Sequence, residues 1–249
     1  MEYSVLTNNS CKKTLTNIKF TDYENGKILN ENGLKITFKK SKKRYELEIE
    51  NDNSKMISYM NRFLFYCENM QKYNNFDVSE FMKMYGGKHR TKEICESMSA
   101  LSYTLKHCED ILNNKNILCL VVADGMNPKT GILLSVKTEW NVISIDPILK
   151  EKWVNNKIIP NLSCYNDLVE NVIDSILIEN ENVDKVIIVG VHSHANLNNV
   201  WKKIDKKKFC LSIPCCAGYE HYIKNHEPIF CVQDMGIPSP KNFVYGWEK

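Results

Sequence analysis

In the second half of the chain, polar and small residues cluster directly after short apolar runs. Asp124-Gly125-Met126-Asn127-Pro128-Lys129-Thr130-Gly131 follows the apolar run 117–123, and Asp146-Pro147 follows 141–145. Asn166-Asp167 comes after a short apolar stretch near Leu162. His192-Ser193-His194-Ala195-Asn196 follows 185–191, and Pro214-Cys215-Cys216-Ala217-Gly218 follows 209–213. Such residues suit a ligand site: carboxylates hold hydroxyls, imidazoles move protons, and glycines let a ligand approach the backbone. Gly125 and Gly131 open the first cluster to that approach. It carries neither a Gly-Lys-Ser/Thr phosphate loop nor a Gly-x-Gly-x-x-Gly fingerprint, and Asp124 would repel a pyrophosphate. Asp146, 22 residues beyond Asp124, has the position from which a carboxylate bonds both hydroxyls of a ribose. As a residue before proline it could equally cap a helix.

His192, His194, Cys215, Cys216 and His221 raise the question of a metal. Their spacing fits no standard zinc pattern, and adjacent cysteines rarely serve one tetrahedral ion, so no metal is expected. Cys215 as a methyl-carrying nucleophile would need a base, and nothing in the sequence places one beside it. Ten cysteines without a Cys-x-x-Cys pair predict buried free thiols in a reducing compartment.

Short, fully apolar runs alternating with helical stretches are the pattern of central parallel strands covered on both faces. Ligands bind such sheets beyond the carboxyl ends of the strands, where the clusters fall. The crossover helices are expected at about 129–138, 166–179, 197–204 and 218–225. The last two apolar segments, 228–235 and 242–247, are linked by Gly-Ile-Pro-Ser-Pro-Lys. That link is too short for a crossover, so they must pair antiparallel. Upstream, residues 14–50 alternate like strands, and Asn25-Gly26 and Asn32-Gly33 mark hairpins. Helical periodicity then predicts helices at about 56–70 and 91–112. The domains expected are a small antiparallel β-meander over 1–53, a helical linker or substrate module over 54–115, and a Rossmann-like domain over 116–249.

Residues 115–249 resemble the class I S-adenosylmethionine-dependent methyltransferases. VVADGMNPKTGILL and VISIDP look like diverged forms of that family's cofactor motifs, and FCVQDMGIPSPKNFVYGW resembles its closing hairpin. VIIVGVHSHANLNNVW followed by FCLSIPCCAGY resembles one branch, which includes a tRNA ribose 2′-O-methyltransferase family. There the fourth strand ends in a histidine motif and the fifth in a Cys-Cys pair. Asn127-Pro128 stands where the family has a glycine-rich turn, and His194-Ala195 where the branch has Cys-Gly. The resemblance implies a seven-stranded, mostly parallel sheet in the order 3-2-1-4-5-7-6, with only the last strand of the chain reversed. It implies S-adenosylmethionine as cofactor, held by Asp124, Gly125, Asn127, Thr130, Gly131, Asp146 and Asp167. His192, His194, Pro214 and Cys215 would frame the acceptor. The alternative is a catalytically inactive module of the same fold, serving as an RNA- or protein-binding platform.

The net charge of +3 announces no nucleic-acid binder by itself. Its distribution is uneven: residues 1–115 carry 19 basic and 15 acidic side chains, residues 116–249 carry 14 and 15. Lys39, Lys40, Lys42, Lys43 and Arg44 cluster at one turn. They read as a solvated hairpin or as a contact to an RNA backbone, RNA being the partner that the resemblance implies. A protein partner is the other expectation for the N-terminal module. No apolar run approaches the roughly 18 residues of a membrane span. The N-terminus lacks a signal-peptide pattern, so the cytoplasm is the expected location.

Overall fold

A computed structural model describes residues 2–7, 13–16, 28–31, 34–41, 44–50, 54–70, 76–86, 89–155, 158–215 and 221–249, with side chains from residue 55 onward. The chain divides into two compact units: residues 1–99 with 235–240, and residues 100–234 with 241–249.

The first unit holds a five-stranded sheet of β1 (Glu2–Thr7), β2 (Lys13–Thr16), β3 (Ile28–Glu31), β4 (Leu34–Ser41) and β5 (Arg44–Glu50), in the order β2-β1-β5-β4-β3. The segment β3-β4-β5 is the antiparallel meander that the alternation predicts. Strand β1, which lies outside the alternating segments, joins β5 in parallel and pairs antiparallel with β2. The sheet is therefore mixed. The hairpin signals at Asn25-Gly26 and Asn32-Gly33 fall outside the described residues.

Helix α1 (Ser54–Asn69) follows. Met56, Met60, Phe63, Cys67 and Met70 bury one face of this segment, at the three- and four-residue spacing of an amphipathic helix. Helix α2 (Val78–Met84) starts at Asp77, whose carboxylate accepts the Ser79 and Glu80 amides at 2.8 and 3.1 Å. Phe81 and Tyr85 pack against Phe63, with ring centroids 5.8 and 5.0 Å away. The long helix α3 (Arg90–His107) is the second predicted helix, continued by a 3-10 turn at Glu109–Ile111.

The second unit is the Rossmann-like layer. Its strands are β6 (Ile117–Val122), β7 (Asn141–Ile145), β8 (Leu162–Tyr165), β9 (Lys185–Val191), β10 (Lys207–Ile213), β11 (Phe230–Gln233) and β12 (Phe243–Glu248). Their order is β11-β12-β10-β9-β6-β7-β8. Counted from β6, this is the predicted 3-2-1-4-5-7-6. The pairs β6–β7, β7–β8, β6–β9 and β9–β10 are parallel, and β12 alone runs against both neighbours. All six residues of β6 are buried, because helices cover the sheet on both faces.

The crossovers are α4 (Lys129–Lys137), the short α5 (Glu151–Val154), α6 (Val169–Glu179) and α7 (Leu197–Lys203). On one face Leu118, Leu120, Val122, Val186 and Ile188 pack with Ile173, Ile176, Val200, Trp201 and Trp247. A helix at 218–225 is not observed over its described part: residues 221–225 are irregular. Besides β1, two helices are additional to the sequence reading, α2 and α5. Each spans at most seven residues, too short to carry a periodic signal.

Candidate active site

The site grows from the carboxyl ends of β6, β7 and β9. Beyond β6 the backbone enters the left-handed region at Ala123 (φ 59°) and again at Gly125 (φ 82°). The second position suits glycine, which has no Cβ to clash. This twist carries the Gly125 amide to the Asp146 carboxylate, 2.7 Å away. The other oxygen of Asp146 accepts the Ile148 amide at 2.9 Å. Each oxygen of a carboxylate has two lone-pair directions, so this buried group keeps acceptor capacity while its orientation is fixed by backbone donors.

A cavity of about 460 Å³ opens beside it, lined by Gly125, Asp146, Ile148, Leu168, His192 and His194 among others. That volume lies in the range of small-molecule sites. Ile148 and Leu168 are 63% and 50% exposed, two large apolar side chains on the cavity wall that pack only partly against the protein. Such surfaces suit a flat, weakly polar ring. Glu170 adds a second carboxylate to the lining. His192 sits just past β9 with φ 50°, and its amide donates to the Ile213 carbonyl at 2.9 Å. The left-handed turn is uncommon for a non-glycine residue.

Of the candidate residues, the cavity brings together Gly125, Asp146, His192 and His194. The others serve the frame around it. Asp124 turns toward its own helix: one oxygen accepts the Thr130 amide at 3.1 Å, the other the Gly131 amide at 2.9 Å and the Ser144 hydroxyl at 3.0 Å. It thus caps the start of α4. Gly131 packs tightly, since a Cβ there would lie 3.2 Å from the Asp124 carboxylate and from the Ser144 Cβ. Asn127 accepts the Trp153 indole N–H at 3.2 Å. Asp167 accepts the Leu168 amide and the Asn171 side chain at 2.7 and 2.8 Å, at the beginning of α6. Pro214 and Cys215 lie beyond β10, outside the lining of the cavity. Lys39, Lys40 and Arg44 fall on β4 and β5 with Ser41 opposite Arg44, and Lys42 and Lys43 lie outside the described residues.

Burial pushes the Asp124 carboxyl up to about 6, overriding the Gly131, Thr130 and Ser144 hydrogen bonds that hold it down. A carboxyl raised in the folded state binds its proton more tightly there than in the unfolded chain. Its contribution is therefore complete below about pH 4 and lost as the pH rises through about 6. Because Asp124 is half-buried and keeps some contact with solvent, the loss across that window should be about 2 kcal/mol. Chemical denaturation of the wild type and Asp124→Asn from pH 4 to 7 measures it. The difference between the two stabilities should fall with pH, and a constant difference would refute the assignment.

The sequence-level signal for Ile148 and Leu168 was present though unread. Ile148 is an apolar residue in a post-strand turn where polar residues are usual, and Leu168 occupies a helix N-cap, where Ser, Thr, Asn or Asp is favoured. Among the described residues no three metal-ligating side chains converge, and no helix is long and apolar enough to cross a membrane.

No protein-family model matches the chain, and no curated protein matches it. Solved structures similar to it include MtNAS in complex with MTA and tNA, at 14% identity and a TM-score of 0.45, over 77% of this chain and 72% of that one. A second is the Burkholderia thailandensis 1,6-didemethyltoxoflavin-N1-methyltransferase, at 9% identity and 0.40, over 91% and 99%. A third is the MycE methyltransferase of the mycinamycin biosynthetic pathway, at 8% identity and 0.37, over 99% and 77%. Likeness of this degree does not bear on what the chain binds.

Proposed function

We propose that the protein is an S-adenosylmethionine-dependent methyltransferase acting on RNA. The observation that carries this reading is the position of Asp146. It lines a cavity at the carboxyl ends of the central strands, fixed by two backbone amides. The residues present fit the cofactor. Asp146 would accept the two ribose hydroxyls, Ile148 and Leu168 would flank the adenine, and the Gly125 turn would lie along the chain of the amino acid. When bound, the cofactor supplies a methyl group on a sulfonium sulfur. The protein's own part is to hold the acceptor in line. His192, on the β9 side of the cavity, would take a proton from that acceptor.

RNA as substrate rests on the motif resemblance and on the basic run from Lys39 to Arg44, whose first and last residues fall on β4 and β5. If that run neutralises phosphates, binding to single-stranded RNA should weaken with salt at about −0.7 in log–log slope per contact. Changing Lys39, Lys40, Lys42 and Lys43 together to Glu should flatten the slope and leave cofactor affinity unchanged. Equal slopes would make the run a solvated turn. Incubation with methyl-labelled S-adenosylmethionine at limiting concentration and small RNA should label the RNA, and Asp146→Ala should lower the rate of labelling. Cofactor binding without transfer to RNA would exclude RNA as the acceptor. RNA binding without cofactor binding would favour the platform reading.

A further inference from the structure

Beyond the cavity, the ends of β9 and β10 bring a thiol against an imidazole. The two strands are parallel neighbours with Val191 opposite Ile213, so the residues that follow them leave from the same edge of the sheet. His194 comes three residues after Val191 and Cys215 two after Ile213. They meet with Nε2 3.1 Å from Sγ. Sγ also lies 3.9 Å from the His192 carbonyl. This supplies the base beside Cys215 that the sequence did not reveal.

Six other cysteines, Cys67, Cys95, Cys108, Cys119, Cys164 and Cys210, are buried. Cys215 is half-buried and His194 is exposed. A thiol in contact with an imidazole can pass it a proton, and the thiolate so formed is the nucleophilic state of cysteine. Among the described residues, the other titratable groups around the pair are His192 and His221, with Asp146 and Glu170 on the wall of the cavity that His194 also lines. Burial first, then His194 and His192, hold His221 below its ordinary value. A neutral His221 places no positive charge against an imidazolium at His194.

We propose that Cys215 and His194 form a thiolate–imidazolium pair, a nucleophilic site that adds covalently to an electron-poor carbon–carbon double bond. The sulfur electron pair forms a bond to the β-carbon of the alkene. The π pair moves to the α-carbon, which takes the proton from the His194 imidazolium. The net change is addition of S–H across the double bond, with no oxidant or reductant. The site needs no bound cofactor, so it stands or falls separately from methyl transfer.

Acrylamide is the probe, with adducts located and timed by peptide mass spectrometry on the full chain between pH 5.5 and 9. Exposed Cys231 is the internal reference in the same sample. At pH 6.5 Cys215 should react about tenfold faster than Cys231 or more, and its rate should flatten rather than fall tenfold per unit of pH. His194→Gln should bring Cys215 down toward the rate of Cys231 and leave Cys231 unchanged. A Cys215 rate equal to or below that of Cys231 in the wild type would overturn the proposal without recourse to any variant. So would a Cys215 rate unaffected by His194→Gln.

Discussion

Replacing Asp146 by Ala is expected to weaken S-adenosylmethionine binding by about 1–3 kcal/mol, the scale of charge-assisted hydrogen bonds. That is roughly 5- to 150-fold in Kd. Two effects act together. The ribose hydroxyls lose their acceptor, and the Gly125 and Ile148 amides lose the group that fixes them. Asp146→Asn separates the two. It keeps one oxygen for a backbone amide but removes the charge and presents a donor to a ribose hydroxyl. Its affinity should fall between wild type and Asp146→Ala. Calorimetry on all three, with thermal unfolding as the control for folding, gives the series. Unchanged affinity in Asp146→Ala would remove the ribose role and leave Asp146 as a turn cap.

The second large effect concerns the terminal hairpin. Gly246 on β12 lies directly opposite Phe230 on β11. A Cβ at position 246 would stand 2.8 Å from Cδ1 of that ring and nearer still to Cε1 and Cζ. The ring cannot swing aside cheaply, because it stacks on His107 at 4.3 Å and near Tyr103 at 5.7 Å between centroids. Gly246→Leu should therefore destabilise the protein by about 3 kcal/mol, at the upper end for overpacking. The thermal midpoint should drop by roughly 6–12 °C. A midpoint within a degree of wild type would mean that the hairpin is not packed in this way. Phe230→Ala in the Gly246→Leu background should recover part of the loss, since it removes the obstacle.

Much of the second unit's topology was legible in sequence for a simple reason. Parallel strands buried on both faces are apolar along most of their length: β6 is so throughout, and β7, β9 and β10 are interrupted only at Ser144, Gly190 and Ser212 once past their first residues. The six-residue link before Asn242 could not hold a crossover, so β11 and β12 had to be antiparallel to each other; that β12 is the reversed one was what the family resemblance implied. The first unit was less readable. The parallel pairing of β1 with β5 joins segments about forty residues apart, and no local periodicity encodes a partner.

Within the site, position was legible and direction was not. The spacing of Asp124 and Asp146 placed both at strand ends. Nothing in the sequence tells that one carboxylate folds back onto the Thr130 and Gly131 amides while the other meets the cavity. That choice depends on which donors lie nearby in space. His194 and Cys215 illustrate the same limit, since their contact depends on the register of two strands.

S-adenosylmethionine is proposed to occupy this cavity with Asp146 as its anchor. Calorimetric titration of the wild-type protein with S-adenosylmethionine tests it most directly. Saturable binding at one site per chain is expected, competed by the demethylated product and weakened in Asp146→Ala. Absence of binding heat at any concentration up to the millimolar range, for a protein that unfolds cooperatively, would contradict it.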